Sequence, residues 1–340
     1  MVSHSRRTVP PVSAPRTGGP WRPWHEAWAD AAYGSEGFWS TQRPRDHFAT
    51  GVGAGPFVAR AVAGLVPPGA EVVVDVGAGD GALLTALVDR LPGVALVGVD
   101  RRPRPPGLHA LVRWVTDHYD VGTGRWAGPG PDGWCAGAST PLLVAHEWLD
   151  DLPVPVVGRQ DGRWHQVEVD PAGRERPGAE VGPDDRAWLA RWWDADGSAD
   201  RRAEVGRRRD VAWSGLVAAA TQRDGRALAV DYGHVAGGRP GGGTFTAYGS
   251  GRRRAPVPDG SVNLTAAVAV DALARAGEEV GAATLLLARQ AEVLAQPVPR
   301  PAQEPEDALT ALVRRSEHAV LTAPERWGDL WWLLQGVPTS

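Results

Sequence analysis

The run Val72-Val73-Val74-Asp75-Val76-Gly77-Ala78-Gly79-Asp80-Gly81 constrains this chain more than any other feature. Its apolar half reads as a strand buried on both faces. The three glycines at alternate positions read as a tight turn into a helix, expected over Ala82 to Leu91. Nineteen residues past Gly81, a second apolar run, Val94 to Val99, ends in Asp100. A strand, a glycine turn, a helix and a second strand with a terminal carboxylate form the plan of a nucleoside-cofactor half-site. The glycines let a ligand approach the backbone, the helix start offers unpaired N–H groups, and Asp100 can accept hydrogen bonds from two ribose hydroxyls.

The turn also fits the looser dinucleotide pattern through Gly77, Gly79 and Ala82. Two details favour S-adenosylmethionine (SAM). Asp75 stands two residues before the first glycine, where it can meet the amino-acid end of that cofactor, and Gly81 completes the form Asp-x-Gly-x-Gly-x-Gly. SAM carries no pyrophosphate, so the acids Asp75 and Asp80 are tolerable here, whereas a pyrophosphate would be repelled. A strand–helix turn without any ligand is the third reading.

The length of 340 residues suits one elaborated α/β domain. A net charge of −4 provides no global field for nucleic acid. Cys135 is the one cysteine, so neither an intramolecular disulfide nor a cysteine-rich metal site is available. All 36 basic residues are arginine, which excludes a Schiff-base lysine and a Walker-type P-loop. No apolar run is long enough for a membrane span, and a cytoplasmic location is expected. The 16 tryptophans read mainly as core and cap material, with an aromatic-lined groove as the alternative.

Residues 1–20 lack an acid and an apolar core segment and read as a disordered tail. Residues 21–70 read as an N-terminal helical cap, and 71–297 as the main domain, with an insertion over about 155–222. Residues 298–340 read as a Pro-rich linker and a C-terminal helical segment carrying Trp327, Trp331 and Trp332. Further strands are expected over Leu111 to Val115, Pro141 to Ala145 and Arg226 to Val230. A hairpin is expected around Asp161-Gly162. Ala203 to Thr221 reads as a helix with a solvated basic face (Arg201, Arg202, Arg207, Arg208, Arg209). Leu264 to Ala276 reads as a helix, and a further one is expected within Glu279 to Ala295. The alternation makes the fold class α/β, a doubly wound Rossmann-like sheet with an inserted hairpin and helical segments.

Open α/β sheets bind ligands beyond the carboxyl ends of their strands. Four such ends carry polar groups: Asp75, Asp100, His146-Glu147 and Asp231-Tyr232-Gly233-His234. Asp117, after the third strand, is placed to meet an adenine amino group. Glu147 and Asp150 could hold a guanidinium in bidentate fashion and orient one nitrogen at a methyl donor. The plain alternative is that Asp150 and Asp151 cap or turn the chain. The nine histidines show no HExxH pattern, so no metal is expected.

Several separated motifs resemble the MidA-like SAM-dependent methyltransferases, a family that includes the mitochondrial arginine methyltransferase of respiratory complex I assembly. Ala32-Tyr33-Gly34 with Gly37-Phe38-Trp39 is similar to the family's entrance segment, and Asp46 to Thr50 to its Gly-Asp-Phe-x-Thr stretch. His146-Glu147-Trp148-Leu149-Asp150-Asp151-Leu152-Pro153-Val154 resembles its most distinctive signature. Gly162 to Gln166, Asp231 to His234, Gly243 to Tyr248 and Asn263 to Ala266 follow in order. The resemblance implies methyl transfer from SAM to a protein side chain of arginine type. Asp75, Gly77, Gly79, Gly81, Asp100, Asp117 and His146 are then the expected cofactor residues, and Glu147, Asp150, Tyr232 and His234 the expected catalytic ones. A homodimer is compatible with it. The chain departs from the family at His146, where asparagine is usual, at Arg101-Arg102, and at Asn263, where aspartate is usual. These departures leave open a small-molecule acceptor, or an assembly factor that keeps the fold without catalysis. A nicotinamide oxidoreductase is the remaining alternative.

Overall fold

The computed structural model describes residues 20–42, 56–193, 202–295, 308–324 and 327–337. The Asp46 to Thr50 motif, nearly all of the N-terminal tail and the Pro-rich linker lie outside them. The centre is a sheet of seven main strands: β1 (Val72–Val76), β2 (Ala95–Asp100), β3 (Val112–Thr116), β4 (Leu142–His146), β5 (Arg226–His234), β6 (Ala283–Arg289) and β7 (Leu330–Gly336). Their spatial order is β6-β7-β5-β4-β1-β2-β3, and a short strand, Val268–Ala269, extends β5. The strands from β5 to β3 run parallel, and β7 is antiparallel to both β5 and β6.

Both faces of the parallel strands are apolar because both are covered. Val72, Val74 and Val76 share a core with Trp213, Leu216 and Val217 of the helix Arg207–Thr221. Val73, Leu142 and Val144 share the opposite core with Val58 and Val62 of the helix Pro56–Leu65, and with Leu83, Leu84 and Leu87 of the helix Ala82–Leu87. The insertion forms a separate antiparallel sheet. Its hairpin, Val156–Gln160 and Arg163–Val169, turns at Asp161 and Gly162, both at positive φ (51° and 77°), as a two-residue primed turn requires. Arg22–Pro23 pairs onto this sheet, and Trp24 and Trp28 of the helix Trp24–Tyr33 pack against Val156, Val167 and Phe245. The N-terminal segment is thus bound to the insertion.

Three local expectations change. The C-terminal segment, expected to be helical, holds the helix Ala308–Thr322 but ends in β7, a nearly all-buried strand between β5 and β6. A short apolar run such as Leu330 to Leu334 has no periodicity that separates buried strand from helix. The sheet therefore includes residues beyond 297. Arg202–Glu204, at the start of the expected helix over 203–221, is a strand paired to Val156–Gly158. Asn263–Thr265 is likewise a strand, and the helix that follows runs Val270–Glu279.

Candidate active site

The glycine turn sits at the carboxyl end of β1. Gly77, Gly79 and Gly81 have φ of 74°, 62° and 78°, a region that costs an L side chain energy. The amides of Gly77 and Ala78 donate to the Val99 carbonyl (2.9 and 3.0 Å), which ties the turn to β2. A Cβ on Gly77 would stand 2.6 Å from Trp148 Cδ1, and one on Gly81 2.4 Å from Leu108 Cδ1. Over Gly79 the nearest atom would be Arg102 Nη2 at 4.0 Å, so that part of the turn is open.

The turn opens into a cleft of about 1700 Å³. Asp75, Gly77, Gly79, Asp100 and Asp117 line it at one end, and His146, Glu147, Asp150 and Tyr232 at the other. Gly81 and His234 do not. Gly81 instead caps the helix Ala82–Leu87. The sequence places His234 in the cleft. However, β5 runs on past its last pairing with β4 at Val230 and continues beside Val268–Ala269. This carries His234 away from the cleft, edge-on to Trp193 (5.1 Å) and 2.6 Å from Arg239 Nη1. Burial, reinforced by Arg239, lowers its imidazole to about 3, so it is neutral.

Asp117 differs from expectation as well. Its carboxylate accepts from the amides of His118 (2.8 Å), Gly128 (2.7 Å) and Gly130 (2.9 Å) and from Trp134 Nε1 (3.0 Å). Four donors fill a carboxylate. Asp117 therefore organises the loop over 117–130 and has no lone pair left for an adenine. That loop delivers an aromatic wall not foreseen from the sequence. Trp126 stacks on Trp148 (5.7 Å, 11° between planes), Tyr119 packs edge-on against both, and all three line the cleft. A tryptophan directly after Glu147 was the available signal.

Asp100 is held on two sides. Oδ2 accepts from the Gly79 amide (2.9 Å), and Oδ1 from the Arg102 amide (2.9 Å) and Nε (3.1 Å). Arg102 Nη2 adds a contact to Oδ2 at 3.3 Å. Asp75 is 4% exposed, and burial, with Asp100 and Asp80 nearby, raises its carboxyl to about 8.

The other end of the cleft is built on the His146 to Val154 segment. Glu147 is held at φ 50°, in the left-handed region, as its amide donates to the Val230 carbonyl (2.8 Å). Strain of this kind in a non-glycine residue marks sites whose surroundings enforce it. Asp231, below the floor, accepts from the amides of Leu149 (2.9 Å), Asp150 (3.2 Å) and Tyr232 (2.8 Å). Asp150 Oδ2 accepts from Thr265 Oγ1 (2.8 Å), and Asp151 Oδ1 from Asn263 Nδ2 (3.0 Å). Tyr33, from the entrance segment, donates to the Asp151 carbonyl (3.0 Å). Burial raises Asp150, Asp151 and Asp231, the latter two well above the usual carboxylate range. Burial likewise raises the Tyr232 phenol, and it lowers His146 to about 4.

The cation facing these acids is Arg209, which the sequence pattern assigns to a solvated basic face. It is 2% exposed, and its guanidinium donates to the carbonyls of Leu152, Ala266, Ala267 and Asp150. It staples the signature segment to the strand that carries Thr265. The helix Arg207–Thr221 turns it inward while leaving Arg207 in an exposed ion pair with Asp185.

Buried polar atoms on cleft-lining residues that have no hydrogen-bond partner among the described residues include the donor Arg101 Nη1, at the cofactor end, and His146 Nε2, Asp150 Oδ1 and Asn263 Oδ1. Such groups are costly unless a ligand meets them. Among the described residues no group of three or more His, Cys, Asp or Glu side chains is disposed to hold a metal ion, and no helix is long and apolar enough to cross a membrane.

Residues 108–288, more than half of the chain, match the model of a family described as "Putative S-adenosyl-L-methionine-dependent methyltransferase". The chain belongs to this family. The matched segment begins after the glycine turn, so the methyltransferase assignment and the half-site come from different parts of the chain. The fold agrees. A crystal structure of a "likely methyl transferase" from Burkholderia thailandensis bound to S-adenosyl-homocysteine superposes with a TM-score of 0.66 at 24% identity, covering 93% of this chain and 87% of that one. A second, from the same superfamily and organism, gives 0.69 at 23% identity with the same coverage. No curated protein matches the chain. The protein is a SAM-dependent methyltransferase with a Rossmann-like fold, and its cofactor is SAM. The cleft fits that cofactor: the open backbone over Gly79, the Asp100 carboxylate on β2, and a buried acid, Asp75, beside the turn.

Proposed function

We propose that this methyltransferase acts on a donor-rich cationic nitrogen, of which the guanidinium of a protein arginine is the best match, as in the MidA-like enzymes. The observation that carries this is the set of orphaned acceptors on one wall, Asp150 Oδ1 and Asn263 Oδ1, beside Glu147. A guanidinium has five N–H donors in a planar fork and satisfies several such acceptors at once. A hydroxyl acceptor has a single donor and would leave them unmet.

SAM supplies an activated methyl group when bound. Gly77 and Gly79 let it approach the backbone, Asp100 accepts from its ribose once Arg102 gives way, and Asp75 faces its charged end. Trp126 and Trp148 give the flat wall against which a base or the acceptor packs. Glu147 and Asp150 orient the acceptor nitrogen, and one of them takes the proton that the nitrogen loses. His146, neutral and with Nε2 unpartnered, accepts a further N–H.

The test is Glu147→Gln, assayed for turnover on arginine-containing peptides and for SAM binding by calorimetry. The expected result is loss of turnover by about 10²-fold or more, with SAM affinity unchanged. Activity that survives the substitution removes Glu147 from the mechanism.

A further inference from the structure

The cleft floor is acidic, but its rim carries the opposite sign. Strands Thr246–Gly249 and Arg252–Arg254 form a hairpin whose turn residues, Ser250 and Gly251, line the cleft. Its second strand is three consecutive arginines, all exposed. Among the described residues, none of the three has a carboxylate partner. Elsewhere on this surface arginines are commonly paired, as in Arg163–Glu180, Arg176–Glu168 and Arg207–Asp185.

The register shows which way the hairpin faces. Tyr248 lies opposite Asn263 on one side and Arg253 on the other. Directly opposed residues in antiparallel strands share a face. Tyr248 lines the cleft and is 40% exposed, and Arg253 Nε donates to Thr246 Oγ1 (2.7 Å), also a lining residue. Asn263 in turn touches Asp151 on the floor. Arg253 is therefore two strand spacings from the acidic floor, about 10 Å, which extended peptide covers in about three residues.

Resting on the arginine-acceptor reading above, we propose that Arg253, the hairpin arginine on the Tyr248 face, recognises an acidic segment of the substrate protein, with Asp or Glu two to four positions from the methylated arginine, while Arg252 and Arg254, on the opposite face, add positive charge to the rim. The substrate is then cationic at the target and anionic beside it, the complement of an acidic floor under a basic rim. Opposite potentials of this kind set register and encounter rate.

An arrayed peptide library with one central arginine and acidic, neutral or basic flanks, assayed for S-adenosylhomocysteine release, tests the proposal. The wild type is expected to favour acidic flanks. The triple variant R252A/R253A/R254A is expected to raise KM for those peptides roughly fivefold to tenfold, with kcat unchanged and neutral-flank peptides unaffected. The single variant R253Q is expected to move KM the same way by less, and poly-L-glutamate to compete with the acidic peptides on the wild type but not on the triple variant. Equal use of all flanks, or an equal KM rise on all of them, overturns the proposal and leaves the arginine reading standing. Competition by duplex DNA but not by poly-L-glutamate overturns it in favour of a nucleic-acid surface. Absence of S-adenosylhomocysteine release with every peptide, with SAM binding intact, refutes the arginine reading and this proposal with it.

Discussion

Replacing Arg209 with methionine is the sharpest structural perturbation available. Methionine keeps the helix propensity and much of the apolar length of the side chain but removes the guanidinium. In the intact protein that guanidinium donates to Ala266 O at 2.7 Å, Asp150 O at 2.6 Å, Leu152 O at 2.9 and 3.1 Å, and Ala267 O at 3.3 Å. It also lies over the Trp28 ring (5.7 Å) and is the buried cation beside Asp150, Asp151 and Asp231. Stranding a buried acceptor costs about 1–3 kcal/mol, and breaking a buried charge site about 3–5 kcal/mol. The carboxylates recover part of this by holding protons, which they already favour because burial raises all three. We expect a loss of about 4 kcal/mol in urea unfolding followed by tryptophan fluorescence, and a fall in Tm of roughly 10 °C. Arg209→Lys keeps the charge but not the fork that spans four carbonyls, and should lose about half as much. In the fraction that remains folded, SAM affinity should hold while turnover drops, because the staple touches the acceptor wall and not the glycine turn. A methionine variant within about 1 kcal/mol of wild type would falsify the staple reading.

Two further predictions concern the cofactor end. Asp75, with its carboxyl raised to about 8 from an ordinary 3.8, keeps its proton across neutral pH. A cationic ligand favours the ionised form, so SAM binding should eject that proton, and affinity should climb with pH up to about 8, by at most tenfold per unit. Calorimetry in buffers of different ionisation heat reads the released proton directly; a flat pH profile, or one unchanged in Asp75→Asn, refutes the assignment. In the ligand-free protein the sign is the opposite: the folded state binds the proton more tightly than the unfolded chain, so this contribution is present below pH 4 and is lost as pH rises through 8. Arg102 occupies the Asp100 oxygens that a ribose needs, so Arg102→Ala should tighten SAM binding by about fivefold, the worth of a part-exposed ion pair. Weaker binding would make Arg102 a ligand group in its own right.

Much of the cofactor half was legible in the chain because its constraints are local. Gly77, Gly79 and Gly81 answer to positive φ, and Asp100 to the end of one strand. The hairpin at Asp161-Gly162 was legible for the same reason. The signature from His146 to Val154 marked the acceptor end, but its electrostatics were not readable. Arg209 shares its helix with the exposed Arg207 and the half-buried Arg208, and only packing decides which of them turns inward.

The sequence by itself determined the parallel sheet, the glycine turn and the carboxylates at the strand ends, since backbone sterics and hydrophobic runs act over a few residues. Tertiary structure alone decided four things. It placed the last strand between β5 and β6, because a short apolar run takes its conformation from the slot that buries it. It committed Asp117 to a loop, because donors from Gly128, Gly130 and Trp134 converge on it beside the amide of its neighbour His118. It took His234 away from the cleft by extending β5 beyond β4. And it set an acidic floor below an arginine rim, a charge pattern that exists only once residues some hundred positions apart, such as Asp151 and Asn263, are brought into contact.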